Sequence, residues 1–230
     1  MLVLAFDTAT AAVTVALFEW VPGEGVRARA VDETVNARRH GEVLTPAIAG
    51  VLAEAGAVPA DLSAVAVGVG PGPYTGLRVG LMTARALGEA LKIPVHGVCS
   101  LDAVAWASGR DEPFVVATDA RRKEVYWARY DSARSRVTDP AVSPPGEVFA
   151  ELGLPPGALP VIGEGAALYP RELGVSGDPA PLLPSAAALA ELAVTRLAGA
   201  DGLPLLPPEP LYLRRPDARA PGPRKKVSQR

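Results

Sequence analysis

Residues 65–80 read VAVGVGPGPYTGLRVG: an apolar run breaks into glycines and prolines and then takes up helical spacing. A buried strand, a tight turn and a helix in that order point to an α/β fold. The turn has the parts of a phosphate cradle but not its pattern. A P-loop needs Lys and Ser/Thr directly after its last glycine, whereas Gly76 is followed by Leu77 and Arg78. A dinucleotide fingerprint needs G-x-G-x-x-G, and after Gly70 and Gly72 the next glycine, Gly76, comes one position late. Pro71 and Pro73 also remove two backbone donors that a cradle would use. The stretch therefore reads as a rigid strand-to-helix elbow, with Thr75 expected as the cap of the helix it launches. Along that helix Gly76, Gly80, Ala84 and Gly88 recur every fourth residue, one stripe of small residues on one face. Interior glycine costs about 1 kcal/mol relative to alanine, so the stripe predicts a close backbone approach, by the preceding helix or by a helix of another subunit.

Around the elbow the periodicities alternate. LVLAFDT reads as a buried strand, and VTVALFE and VRARAVDETV as two more in an antiparallel meander. Val43, Leu44, Ala47, Ile48, Val51, Leu52 and Ala55 then fall at helical spacing up to Gly56, with Pro46 inside the run. IPVHGV reads as a strand and SLDAVAWAS as a helix capped by Ser100. The order over residues 1–108 is βββαβαβα. A second unit, 109–213, opens on EPFVVATDA and repeats the start weakly: a strand ends in Asp7 or Asp119, and a second strand follows a short turn. After that, Pro-Gly-rich sequence dominates, and SAAALAELAVTRLAG is the helix expected there. Residues 214–230 carry seven cations against one Asp and are expected to form a disordered, solvated tail.

The chain has 230 residues, 49% of them hydrophobic, and a net charge of −2, with no large basic field that calls for nucleic acid. One cysteine, Cys99, excludes an internal disulfide framework and suits a reducing, cytoplasmic location. The N-terminus lacks a basic n-region and meets Asp7 early, so it is not expected to be a signal peptide. No apolar run reaches the length of about 18 residues that reads as a membrane span. Catalytic chemistry is thinly provided. The two histidines, His40 and His96, lie in different elements, and position 44, where a second metal-binding histidine would stand, is Leu. No Ser-His-Asp or Cys-His set is visible, so no catalytic residue, metal or cofactor is expected. Asp7 and Thr8, with Asp119 in the second half, resemble phosphate-contacting turns of actin-like and sugar-kinase ATPases. Ala9 and Ala120 stand where such turns favour glycine, leaving these residues as weak nucleotide-binding candidates.

Taken together, LAFDTAT, RRHGEVLTPAIAGVLAEAG, VGPGPYTGLRVGLMTARALGEALKIPVHGVCSLDAVA, DARRKEVYWARY and EPLYLR resemble the TsaB (YeaZ) family of tRNA threonylcarbamoyladenosine biosynthesis proteins. The likeness is strong over residues 1–130 and returns at Glu209–Arg214. It implies an ASKHA fold (actin-like ATPase, RNase H-like) with two lobes, the second reduced. It also implies a non-catalytic, activating role in forming N6-threonylcarbamoyladenosine at position 37 of tRNAs reading ANN codons. The chemistry would belong to a paralogous TsaD subunit with a His-x-x-x-His metal pair, joined by the ATPase TsaE, and tRNA would be engaged indirectly through the complex. The expected interface is helical: His40, Ala47 and Val51 on the first helix, Gly76, Gly80 and Ala84 on the second. Gly80→Leu and Ala84→Arg are then expected to weaken partner binding in a folded chain, and a homodimer is expected when the partner is absent. The alternative is an enzyme, a small ASKHA phosphotransferase or a TsaD-like metal-dependent transferase. A peptidase, the label some relatives carry, has no residue set here.

Overall fold

The computed structural model describes residues 1–35 and 39–214. The expected tail, apart from Arg214, lies outside the described residues. Two five-stranded sheets organise the described residues. The first is built from β1 (Leu2–Asp7), β2 (Ala12–Val21), β3 (Gly25–Val35), β4 (Ala64–Gly68) and β5 (Val95–Val98), in the order β3-β2-β1-β4-β5. β1, β2 and β3 form the antiparallel meander, while β4 runs parallel to β1 and β5 parallel to β4. Connecting helices are α1 (His40–Glu54), α2 (Tyr74–Leu91) and α3 (Ser100–Ser108). The βββαβαβα reading is therefore the observed order of these elements.

The second sheet repeats the opening. β6 (Phe114–Asp119) pairs antiparallel with β7 (Val125–Ser132), as β1 does with β2. Short strands β8 (Ser135–Arg136) and β9 (Ala141–Ser143) flank β7, and β10 (Val161–Ile162) lies parallel to β6. The Pro-Gly-rich sequence also contains two helices of a single turn or so that its composition hides, α4 (Val148–Glu151) and α5 (Glu164–Leu168), before the expected α6 (Ala186–Leu197).

Strand alternation sorts the core into layers. Leu4, Phe6, Val13, Val15, Leu17, Val65 and Val67 face α1 and α2, where Leu44, Ile48, Val51, Leu52, Leu81 and Ala84 meet them. The opposite parity, Val3, Ala5, Ala16, Phe18, Ala64 and Ala66, shares a cluster with α3 and α6. That cluster continues into Phe114, Val116, Ala128, Tyr130 and Ile162 of the second sheet. The far face of the second sheet packs on α4 and α5 through Val115, Ala117, Trp127, Phe149 and Ala166. This is the ASKHA arrangement, two sheets with helices between and outside them, and the second lobe is the smaller. The last helix returns to the first sheet: α6 rests on β1, β2 and β3. The segment after it is tied there too, through Gly97 paired with Leu206 and the Leu211 amide on the Val69 carbonyl at 2.8 Å.

Two capping expectations fail. α2 starts at Tyr74 behind Pro73, with no side-chain cap, so Thr75 lies inside the helix. Pro73 holds φ at −60° and needs no donor of its own, which suffices to begin a helix. Ser100 is the first residue of α3, not its cap, and its hydroxyl is used elsewhere.

Candidate functional site

The elbow closes on the turn between β1 and β2. Asp7 and Thr8 are each 1% exposed, which decides what they can do. The Asp7 Oδ1 accepts from the Ala9 amide at 2.6 Å, and its Oδ2 accepts from the Ser100 hydroxyl at 2.5 Å. Ser100 in turn takes the Gly70 amide at 3.2 Å, so strand end, elbow and α3 meet on one carboxylate. Burial pushes the Asp7 carboxyl above its ordinary range, and the Ser100 and Ala9 hydrogen bonds and the His40 charge only partly offset it. A carboxylate enclosed in this way has no open side for a phosphate or a metal.

Thr8 docks on α2. Its hydroxyl donates to the Gly76 carbonyl at 2.8 Å and accepts from the Gly80 amide at 3.1 Å. This explains the small-residue stripe. A Cβ on Gly76 would collide with the Thr8 carbonyl, and one on Gly80 would lie 2.5 Å from Thr8 Oγ1. Gly88 meets Val95 in the same way, and Gly72 and Gly68 make room for Ala9 and for the Asp7 carboxylate. The predicted close approach is real, but the neighbours are the β1–β2 turn and the sheet, not a second helix. Gly76, Gly80 and Ala84 are buried, so Gly80→Leu and Ala84→Arg would strike the core; the expectation that they leave the chain folded is corrected. Val51 is likewise buried at 1% exposure. His40 and Ala47 are half-buried. The His40 Nε2 donates to the Thr10 carbonyl at 2.8 Å, fixing the start of α1 to the same turn.

Asp119 ends β6 as Asp7 ends β1, and is less deeply enclosed, with 10% of its side chain exposed. Its Oδ1 accepts from the Arg121 amide at 2.9 Å and its Oδ2 pairs with the Arg121 guanidinium at 3.1 Å. Glu164, whose carboxyl is pushed up by burial and then by the Asp119 charge, lies beside it. Two small clefts flank this region. One, of about 230 Å³, lies among Thr10, His40, Thr75 and Arg121. The other, of about 370 Å³, lies among Tyr74, Arg121, Arg122, Tyr126, Tyr212 and Arg214. Asp7 lines neither cleft. The sequence did not single out Tyr74 and Tyr212, whose rings stack at the second cleft, although EPLYLR, which contains Tyr212, closes the likeness. Elsewhere a buried lock joins α3 to the second sheet: Tyr130 donates to Asp102 Oδ1 at 2.7 Å and Arg136 pairs with it at 3.1 Å. Burial drives the Cys99 thiol well above its ordinary value, so it is held as an inert thiol. Among the described residues no three His, Cys, Asp or Glu side chains cluster as metal ligands, and no helix is long and apolar enough to cross a membrane.

A family model described as TsaD, tRNA N6-adenosine threonylcarbamoyltransferase, matches residues 32–174. An uncharacterized protein of Mycobacterium leprae is 45% identical over 95% of this chain, which spans 56% of that relative's length. The Escherichia coli tRNA threonylcarbamoyladenosine biosynthesis protein TsaB is 32% identical over 93% of this chain and 95% of its own. The solved structure of YeaZ from Pseudomonas aeruginosa superposes with a TM-score of 0.76 at 32% identity, covering 92% of this chain and 99% of that one. The chain belongs to the TsaB (YeaZ) family, proteins of tRNA threonylcarbamoyladenosine biosynthesis.

Proposed function

We propose that this chain is a non-catalytic, activating subunit in forming N6-threonylcarbamoyladenosine at position 37 of tRNAs reading ANN codons. It acts in the cytoplasm by heterodimerising with a TsaD-like catalytic subunit, with a TsaE-like ATPase joining the pair. The observation that carries this reading is the enclosure of Asp7 and Thr8. In an ATPase of this fold a strand-end Asp faces phosphate. Here both side chains are spent on Ser100, Ala9, Gly76 and Gly80. That argues against the alternative phosphotransferase or metal-dependent transferase more directly than composition does.

In this reading residues 1–108 supply the docking helices. With Gly76, Gly80 and Ala84 turned inward, the surface offered to the partner is the outer flank of α1 and α2. Its apolar positions include Pro46, Ala47, Val79 and Met82, the last 53% exposed. These small and apolar side chains suit helix-on-helix docking. The same flank accounts for a homodimer when the partner is absent.

Reconstitution tests the reading. The chain is mixed with its cognate TsaD and TsaE, and tRNA modification is followed with each component omitted in turn. Modification is expected to need this chain, while the chain alone hydrolyses no ATP. Turnover of ATP by the isolated chain, abolished by Asp7→Asn, would establish the enzyme instead. Met82→Glu is expected to weaken co-purification with TsaD at least tenfold while leaving the melting curve unchanged, since a charge at a desolvated contact costs more than about 1.4 kcal/mol.

A further inference from the structure

The turn joining β6 to β7 holds Arg121, Arg122 and Lys123 consecutively in the left-handed region, at φ of 61°, 56° and 62°. Three residues other than glycine in succession are uncommon there. The surroundings impose it. Asp119 takes the Arg121 amide and guanidinium at the start of the turn. At its base the Ala120 amide donates to the Glu124 carbonyl at 3.0 Å, and Arg214 donates to the Ala120 carbonyl at 3.0 Å while pairing with Glu124. The result is a fixed basic turn on one rim of the cleft of about 370 Å³. On the other rim Tyr74 and Tyr212 stack, with ring centroids 5.3 Å apart and planes 24° apart. They remain 44% and 42% exposed, so the stack is a shelf and not core packing. The Arg78 guanidinium sits 3.9 Å from the Tyr74 ring centroid. Arg121, Arg122 and Arg214 line the cleft, Arg121 pairing with Asp119 and Arg214 with Glu124, while Arg78 lies over the Tyr74 ring and Lys123 is the next residue of the turn, on a chain whose total charge is −2. From Arg214 the sequence runs on through sixteen residues with six more cations and one Asp.

The geometry points to this cleft as a direct contact site for single-stranded RNA: phosphates on the Arg121–Lys123 turn, and a base against the Tyr74–Tyr212 shelf. The inference rests on the tRNA-modifying role proposed above and deepens it, because it gives the chain its own hold on the RNA. An acidic peptide would use the cations but leave two stacked rings without a purpose. A nucleic-acid strand supplies both the anion and the flat face, which is the chemistry of unpaired-base recognition.

The test is fluorescence anisotropy of a labelled anticodon stem-loop RNA with the full chain, alone and in its complex with TsaD, between about 50 and 200 mM salt. The double variant Arg122→Gln, Lys123→Gln is expected to bind about tenfold more weakly, with a salt slope shallower by about 2. Tyr212→Ala is expected to lose about tenfold with its salt slope unchanged. Lys92→Gln, a cation at the far end of α2, is expected to bind as the parent does. Ultraviolet cross-links are expected on Tyr74 or Tyr212. Absence of RNA binding by the parent chain, or variants that bind as it does, would overturn the inference. So would displacement of the RNA by equal concentrations of AMP or of an oligoglutamate peptide, which would mark a nucleotide pocket or a protein-docking site. Co-purification with TsaD and tRNA modification are followed on the same preparations. No RNA binding by the parent, or parent-like binding by the variants, with co-purification and modification both retained defeats this inference and leaves the functional reading standing.

Discussion

At the scale of single residues, the Thr8 hydroxyl and the missing side chain of Gly80 form one device. If the stripe exists to admit Thr8, the two positions are coupled. Thr8→Ala should cost at least about 1–2 kcal/mol, the net worth of a buried hydroxyl bonded to two backbone groups. Gly80→Ala should also destabilise, because its Cβ would lie 2.5 Å from Thr8 Oγ1. Combining Thr8→Ala with Gly80→Ala should recover part of that loss, giving a coupling energy of about 0.5–3 kcal/mol in urea denaturation. Strict additivity would mean that Thr8 is not what the glycine accommodates. The spacing of Gly76, Gly80 and Ala84 was legible in the sequence; their neighbour was not. A period of four fixes which residues share a face, while the identity of the opposing group depends on a turn that lies seventy residues away along the chain. His96 supplies a residue-scale prediction in pH. Burial holds its imidazole below the ordinary value of 6.5, and among the described residues its buried Nε2 has no hydrogen-bond partner. Above that value the histidine is neutral in both states and the stability is intact. As the pH falls through 6.5 toward the lowered folded value, the unfolded chain takes the proton first and stability falls. It levels off once the folded ring also charges. The melting temperature of His96→Leu, compared with the parent across this window, should fall less steeply; parallel curves would exclude His96 as the source.

At the scale of elements, local sequence signals succeeded where nothing distant competed for the same group. Ser185 precedes α6, and its hydroxyl accepts from the Ala187 amide at 3.2 Å, so Ser185→Ala should cost about 1 kcal/mol by thermal denaturation. Thr75 and Ser100 carry the same residue signal and failed as caps. Pro73 starts α2 unaided, and the Ser100 hydroxyl is engaged by the buried Asp7 carboxylate and the Gly70 amide. A capping hydroxyl and a tertiary hydroxyl are indistinguishable in sequence until the far partner is known. The same limit hid the lock between α3 and the second sheet. Asp102 is fully buried, and Arg136, with 15% of its side chain exposed, is the cation that faces it. Arg136→Met would leave the carboxyl with the Tyr130 hydroxyl alone. Removing one member of a buried pair costs about 3–5 kcal/mol, and the residual exposure of Arg136 places the expected loss at or below the lower end. A chemical-denaturation midpoint unchanged in Arg136→Met would remove the lock from the account.

At the scale of the whole molecule, the meander that opens the first sheet and the strand-turn-strand that opens the second could be read from apolar runs that end in Asp and from the turn chemistry after them; the places of β4, β5, β8, β9 and β10 in the sheets could not. The return of the chain could not. After the second sheet, α6 goes back to lie on β1, β2 and β3. Leu206 and Leu211 then bond to Gly97 and Val69 of the first lobe. Pro-Gly-rich sequence between residues 138 and 184 carries no periodicity that would reveal this path, because its backbone groups are satisfied by turns and short strands. The return has a mechanical consequence. One apolar cluster contains Val3, Ala5 and Phe18 from the first sheet, Phe114, Val116 and Tyr130 from the second, and α3 and α6 between them. Neither sheet can expose its inner face without stripping the same two helices, so the lobes should unfold together although the chain reads as two units. Calorimetry should give a single transition with a van't Hoff enthalpy equal to the calorimetric one. Leu189→Ala, at a fully buried position of α6 in that cluster, should lower the midpoint of the whole transition by an amount corresponding to about 2–5 kcal/mol. If the lobes were instead independent, the substitution would split the trace, moving one component and leaving the other in place. That outcome would show that the shared helical layer joins the two sheets in space without coupling them in energy.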